Sequence, residues 1–143
     1  MQLESAEAET VGAEAAAFAR ALADPDARGR YSRLAEAAAA GEIPDELVAP
    51  LETMLELLFD TGRVANRAVL QSVFAKTPRG RHLSAAAREV SRALQTLRAQ
   101  TLIDVRLSTG GPSLHSLVLE TDRCRLTLEI DRDGARIASL EAG

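Results

Sequence analysis

Through the first two thirds of the chain apolar residues recur at alternating three- and four-residue steps, the period of helices seated on a surface. Residues 3–22 predict a helix whose stripe is Ala8, Val11, Ala15, Phe18 and Leu22. Glu4, Glu7 and Glu9 fall in its first turns, where carboxylates favour the helix dipole. A stripe so narrow and Ala-rich needs a surface to stay folded, either the rest of the domain or a second copy of the chain; otherwise it frays. Asp24-Pro25 breaks the pattern, and residues 26–40 resume it with Tyr31, Leu34 and Ala38 on one side and Gly41 at the end. Pro44-Asp45-Glu46 starts another helix, in which Pro50 either makes a kink or opens a new segment. That segment runs to Thr61 with Leu51, Met54, Leu55, Leu58 and Phe59 inward, and Gly62 ends it.

Asn66 is placed to cap a helix that buries Val69, Leu70, Val73 and Phe74. Thr77-Pro78-Arg79-Gly80-Arg81-His82 reads as a loop because of its Pro and Gly. From Ser84 to Ala99 the pattern is amphipathic: Ala86, Val90, Ala93, Leu94 and Leu97 share one face, and Arg88, Ser91, Arg92, Gln95 and Ala99 the other. After Leu102 the period becomes two. Ile103, Val105 and Leu107 alternate with Asp104 and Arg106 in a first strand, and Ser108 to Ser113 form a turn. Leu114 to Glu120 is a second strand. Arg125 to Asp131 is a third, with Leu126, Leu128 and Ile130 inward; Asp133-Gly134 is a hairpin signal leading to a fourth at Arg136 to Leu140. The class is therefore α+β: N-terminal helices, then a four-stranded antiparallel meander.

Charge adds a feature that periodicity does not show. Residues 1–60 hold 13 acidic side chains against 4 basic. Residues 63–106 hold 9 basic ones (Arg63, Arg67, Lys76, Arg79, Arg81, Arg88, Arg92, Arg98 and Arg106) against Glu89 and Asp104. A basic middle lies between acidic ends. Cys124 is the only cysteine, so no intrachain disulfide forms. The first ten residues lack a basic n-region, and the longest apolar runs fall far short of the ~20 residues that span a bilayer. A cytoplasmic protein with no membrane partner is expected.

The segment Val90-Ser91-Arg92-Ala93-Leu94-Gln95-Thr96-Leu97-Arg98-Ala99-Gln100-Thr101-Leu102-Ile103 resembles the recognition helix and following strand of winged helix-turn-helix proteins, such as the MarR-like regulators. The resemblance spans about Leu51 to Thr121, half the chain. It implies a winged-helix-like centre, a non-enzymatic DNA-binding role, and a helix from Ser84 to Ala99 lying in a major groove. Arg88, Ser91, Arg92 and Gln95 would contact bases or phosphates, with Arg79 and Arg81 adding phosphate contacts. Three features differ from that family. The loop between the two helices is about six residues long, the wing tip at Ser108–Ser113 has no Lys or Arg, and a second hairpin follows the wing.

Those differences keep a second class open, a protein–protein adaptor or assembly subunit that uses the same module on an acidic surface, with homodimerisation through the N-terminal helix. Helices followed by an antiparallel sheet also describe cone-shaped folds of the NTF2-like type. That reading requires an apolar cavity with Asp104 or Glu120 inside. A blander arrangement pairs the basic stretch with the chain's own acidic helices. His82 and His115 have no ligand-spaced partners, and Asp131-Arg132-Asp133-Gly134 lacks calcium-loop spacing. No nucleophile elbow is present, so no catalytic residue, metal or cofactor is expected. The expected division is a helical extension, 1–41, and a winged-helix-like α+β domain with the extended meander, 42–143.

Overall fold

A computed structural model describes residues 1–62 and 64–143; Arg63, one of the nine basic residues of the middle segment, lies outside the described residues. In chain order come α1 (Ser5–Ala21), α2 (Pro25–Ala39), α3 (Asp45–Thr61), α4 (Arg67–Lys76), α5 (Pro78–Gln95), β1 (Leu102–Gly111), β2 (Leu114–Thr121), β3 (Cys124–Asp131) and β4 (Gly134–Ala142). The α+β class and the antiparallel meander, in the order β1-β2-β3-β4, are as the periodicity predicts. The chain divides into two compact units, Met1–Arg81 and His82–Gly143. Residues 1–41 are not an appendage to a separate domain, because their buried side chains belong to the same core as those of α3 and α4.

In the first unit Val11, Ala15, Leu34, Ala38, Ile43, Leu51, Met54, Leu55, Leu70 and Val73 are fully buried. The stripe of α1 is turned from its expected line: Glu7, Val11, Ala15 and Ala19 are buried, while Phe18 and Leu22 pack at the margin. This core consumes the surface that a dimer through α1 would need. Gly12 and the alanines of α1 and α2 let the two helices approach closely; a Cβ on Gly12 would stand 3.7 Å from the Ala35 carbonyl. All four aromatics are used in edge-to-face pairs, Phe18 with Tyr31 at 4.8 Å and Phe59 with Phe74 at 5.7 Å. Pro50 neither opens a new helix nor ends the old one: α3 is continuous through it. The proline forfeits one backbone hydrogen bond, and burial of Leu47, Leu51, Met54 and Leu55 on both sides of it holds the helix together.

The six-residue loop expected at Thr77–His82 is a single residue, Thr77. Its side chain explains why. The buried Thr77 Oγ1 accepts the Gly80 N–H at 3.1 Å and donates to the Phe74 carbonyl at 2.8 Å, so it caps α5 while closing α4. Pro78 is then the first residue of α5, where a missing N–H costs nothing. Gly80 is required by space, since a Cβ there would overlap the Phe74 carbonyl. Asn66 occupies the N-cap position of α4 in a left-handed conformation (φ 57°), without a side-chain cap bond. At its other end α5 stops at Gln95. A tighter turn follows, with Leu97 bonded to Leu94 and Gln100 to Leu97, and Ala99 in the left-handed region.

In the second unit α5 lies on one face of the sheet. Val90, Ala93 and Leu97 pack against Leu117, Leu119, Leu126, Leu128, Ala135 and Ile137. The pairing register puts these strand residues on a common face, with Leu119 opposite Leu126 and Leu117 opposite Leu128. Val105 opposite Leu119 and Leu107 opposite Leu117 extend that face onto β1. Ser108 to Gly111, expected in a turn, continue β1, and the chain reverses at Pro112-Ser113. Leu94, expected inside, is 37% exposed.

Candidate interaction surfaces

The six residues expected to bind DNA fall in both units, Arg79 and Arg81 in the first and Arg88, Ser91, Arg92 and Gln95 in the second. Arg79, in the first unit, is engaged by carboxylates of α3: its Nε donates to Glu56 Oε1 at 3.0 Å and its backbone N–H to Glu52 Oε1 at 2.8 Å. Arg81 donates to the Lys76 carbonyl at 2.7 Å across the α4–α5 junction. Arg88, Ser91, Arg92 and Gln95, in the second unit, share the solvent side of α5. None of the four has an ion pair or side-chain hydrogen bond among the described residues. They are the part of the expected site that stays available.

Much of the basic middle pairs internally. Lys76 Nζ reaches Glu7 Oε2 at 2.6 Å, Arg67 stacks over the Phe59 ring at 5.5 Å, and Arg106 contacts Asp104 at 2.9 Å. Residues 82–143 hold eight arginines against eight carboxylates, so the unit that presents Arg88 and Arg92 is formally neutral. Glu7 is the group that sequence reading missed. Although 4% exposed, it accepts from Lys76, from the Ser72 hydroxyl at 2.9 Å and from the Glu4 N–H at 2.8 Å. Burial pushes its carboxyl up, and these donors together hold it below the ordinary 4.5. An acidic residue in a first helical turn gives no sign of such a tertiary role.

The outer face of the sheet is a polar ladder. Asp104, Glu120, Arg125 and Glu141 align across the four strands, as do Glu129 and Arg136 across two. Arg125 bonds to Glu120 at 2.8 Å, and Arg136 to Glu129 and Asp131 at 2.5 Å each. The Arg125 guanidinium beside Glu120 draws that carboxyl below its usual range. Asp104 and Glu120 therefore face away from α5, and the small-ligand reading loses the residues it needed inside a cavity. His115 meets Thr109 at 3.2 Å on the β1–β2 pair. Cys124 is half-buried in a turn knot, with Thr121 Oγ1 donating to Gln100 Oε1 at 2.5 Å and accepting the Cys124 N–H at 3.0 Å. Among the described residues no three His, Cys, Asp or Glu side chains converge as metal ligands, and no helix is long and apolar enough to cross a membrane.

One surface does not fit the polar exterior of a folded chain. β1 is an edge strand of ten residues. Its Leu102, Ile103, Val105 and Leu107 are 48–69% exposed, although Val105 and Leu107 share the sheet face that α5 covers farther along. The alternation was legible in sequence as a strand. Which strand would stand at the edge, beyond the reach of the helix, was not. Comparisons with family models, with curated proteins and with solved structures give no match.

Proposed function

We propose that the chain is a non-enzymatic protein-interaction module whose docking element is one open edge of its sheet, β1. One observation carries this reading: four large aliphatic side chains are more than two fifths exposed along a single edge strand. Isolated exposed aliphatics are ordinary, but a contiguous row marks an interaction site. An edge strand supplies main-chain donors and acceptors for a further strand, and alternating pockets supply selectivity. The test is a photo-crosslinking residue at position 107 or at position 88 in cells making the protein. Protein adducts from position 107 that disappear with Val105→Lys support the reading. DNA adducts from position 88 with none from position 107 overturn it.

DNA binding through the winged-helix-like α5 is the second reading. It is favoured by the exposed, unpaired Arg88 and Arg92 on one helical face. Set against it are the internal pairing of Lys76, Arg79 and Arg106, the neutral charge of residues 82–143, and a turn at Pro112-Ser113 without a cation. Phosphate contacts dominate DNA affinity, and the two unpaired guanidinium groups of α5 supply few of them.

A further inference from the structure

We propose that β1 pairs with β1 of a second copy of this chain, antiparallel about a two-fold axis through Val105. This rests on the docking reading and names its occupant. The strand reads Ile103-Asp104-Val105-Arg106-Leu107, a palindrome in polarity with opposite charges at its mirrored positions. An axis through Val105 sets Asp104 of each copy opposite Arg106 of the other, within the stretch Asp104–Thr109 whose register is regular. Val105 then meets its own counterpart. Directly opposed residues in antiparallel strands lie on the same face, so the two charge pairs fall on the polar face and Val105 and Leu107 on the face that carries α5.

The registers nearest to this one are penalised. Moving the axis to Asp104 opposes two carboxylates, and moving it to Arg106 opposes two guanidinium groups. An axis between residues sets polar side chains of one copy on the apolar face of the other, because a one-residue slip inverts every side chain. Within one copy Arg106 already lies 2.9 Å from Asp104 and 3.7 Å from Glu120, so the acidic and basic groups that would bridge the axis sit together on the outer face. Residues Leu102–Gly111 contain neither Lys nor Pro, and the register irregularities of β1 flank the regular stretch Asp104–Thr109 and do not interrupt it. Pairing would cover the aliphatic row and join two sheets into one of eight strands.

Sedimentation velocity of the full chain over a range of concentrations tests this, with far-UV circular dichroism as the folding control. The expected species has twice the 15.2 kDa chain mass. D104R, which faces Arg106 of the second copy with another arginine, raises the dissociation constant at least about tenfold. The exchange D104R/R106D restores it. Leu107→Lys, on the other face, weakens the dimer independently. A chain that stays at 15.2 kDa at every concentration overturns self-pairing, as does a dimer indifferent to D104R. If such a monomer still gives Val105-dependent adducts with other proteins from position 107, self-pairing alone falls and the docking reading stands. If position 107 gives no adducts, both fall.

Discussion

Glu7 of α1 and Lys76 of α4 meet at 2.6 Å although 69 positions separate them, and the contact fastens the first helix to the fourth. Its carboxylate is nearly enclosed, so its stability depends on every one of its three donors remaining in place. A buried acceptor that loses its partners is penalised more heavily than the intact bonds are favourable.

Glu7→Gln keeps the shape and removes the charge. Chemical denaturation at neutral pH is expected to show a loss of about 1–3 kcal/mol. The pH dependence follows from the sign of the shift. A carboxyl whose folded value lies below 4.5 stabilises the fold above that pH, and the contribution fades as pH falls through the folded value. The gap between wild type and Glu7→Gln is therefore constant near neutrality and narrows below pH 4.5. A gap that holds steady down to acid unfolding would show that the charge is immaterial.

Two glycine substitutions should act with opposite sign. Gly80→Ala drives a methyl group into the Phe74 carbonyl at the α4–α5 junction, with an expected loss of about 1–3 kcal/mol. Gly29→Ala, in the interior of α2 with nothing within 4 Å of the new methyl, is expected to gain about 0.5–1 kcal/mol. Thermal melts of the two variants measure both. Thr77→Ala, which removes the cap and the bond to Phe74, should lose about 1–2 kcal/mol.

Truncation of residues 1–41 is expected to unfold the first unit rather than to bare a binding surface. Val11, Ala15, Leu34 and Ala38 are fully buried in its core, and the deletion removes all of them. Leu34→Ala alone should lose about 2–5 kcal/mol. Amide hydrogen exchange of residues 42–81 in the truncated chain checks the larger claim: retained protection there would contradict it.

The double variant Arg88→Ala/Arg92→Ala is expected to match the wild type in stability within about 0.5 kcal/mol, since neither side chain touches the core. In an electrophoretic shift with mixed genomic DNA at two salt concentrations, both proteins should give the same weak retardation. A wild-type affinity that the double variant loses, and that falls steeply with salt, restores the DNA reading.

Among the described residues, periodicity located all nine elements because Leu, Val and Ala positions betray which side of a helix or strand is covered. It erred where one side chain outweighs composition. Thr77, Pro78 and Gly80 look like a loop by residue type, yet a threonine cap, a proline at the first helical position and a glycine beneath a carbonyl together make a one-residue helix junction. The α1 stripe was misplaced because Glu7, a charged residue, occupies a buried position that only the distant Lys76 and Ser72 make tolerable. The basic middle was visible as a count. Its partition into Lys76 and Arg79 held by acidic helices, and Arg88 and Arg92 facing solvent, depends on tertiary neighbours that no local pattern encodes.

The reach from Glu7 to Lys76 also orders events during synthesis. The α1–α2 hairpin is complete soon after residue 39 emerges, but Glu7 then has neither Lys76 nor Ser72 to receive it, and Leu34 has no α3 or α4 to cover it. The first unit consequently waits as a half-closed hairpin for nearly forty further residues. The meander, whose neighbouring strands follow one another directly, can zip as it leaves the ribosome.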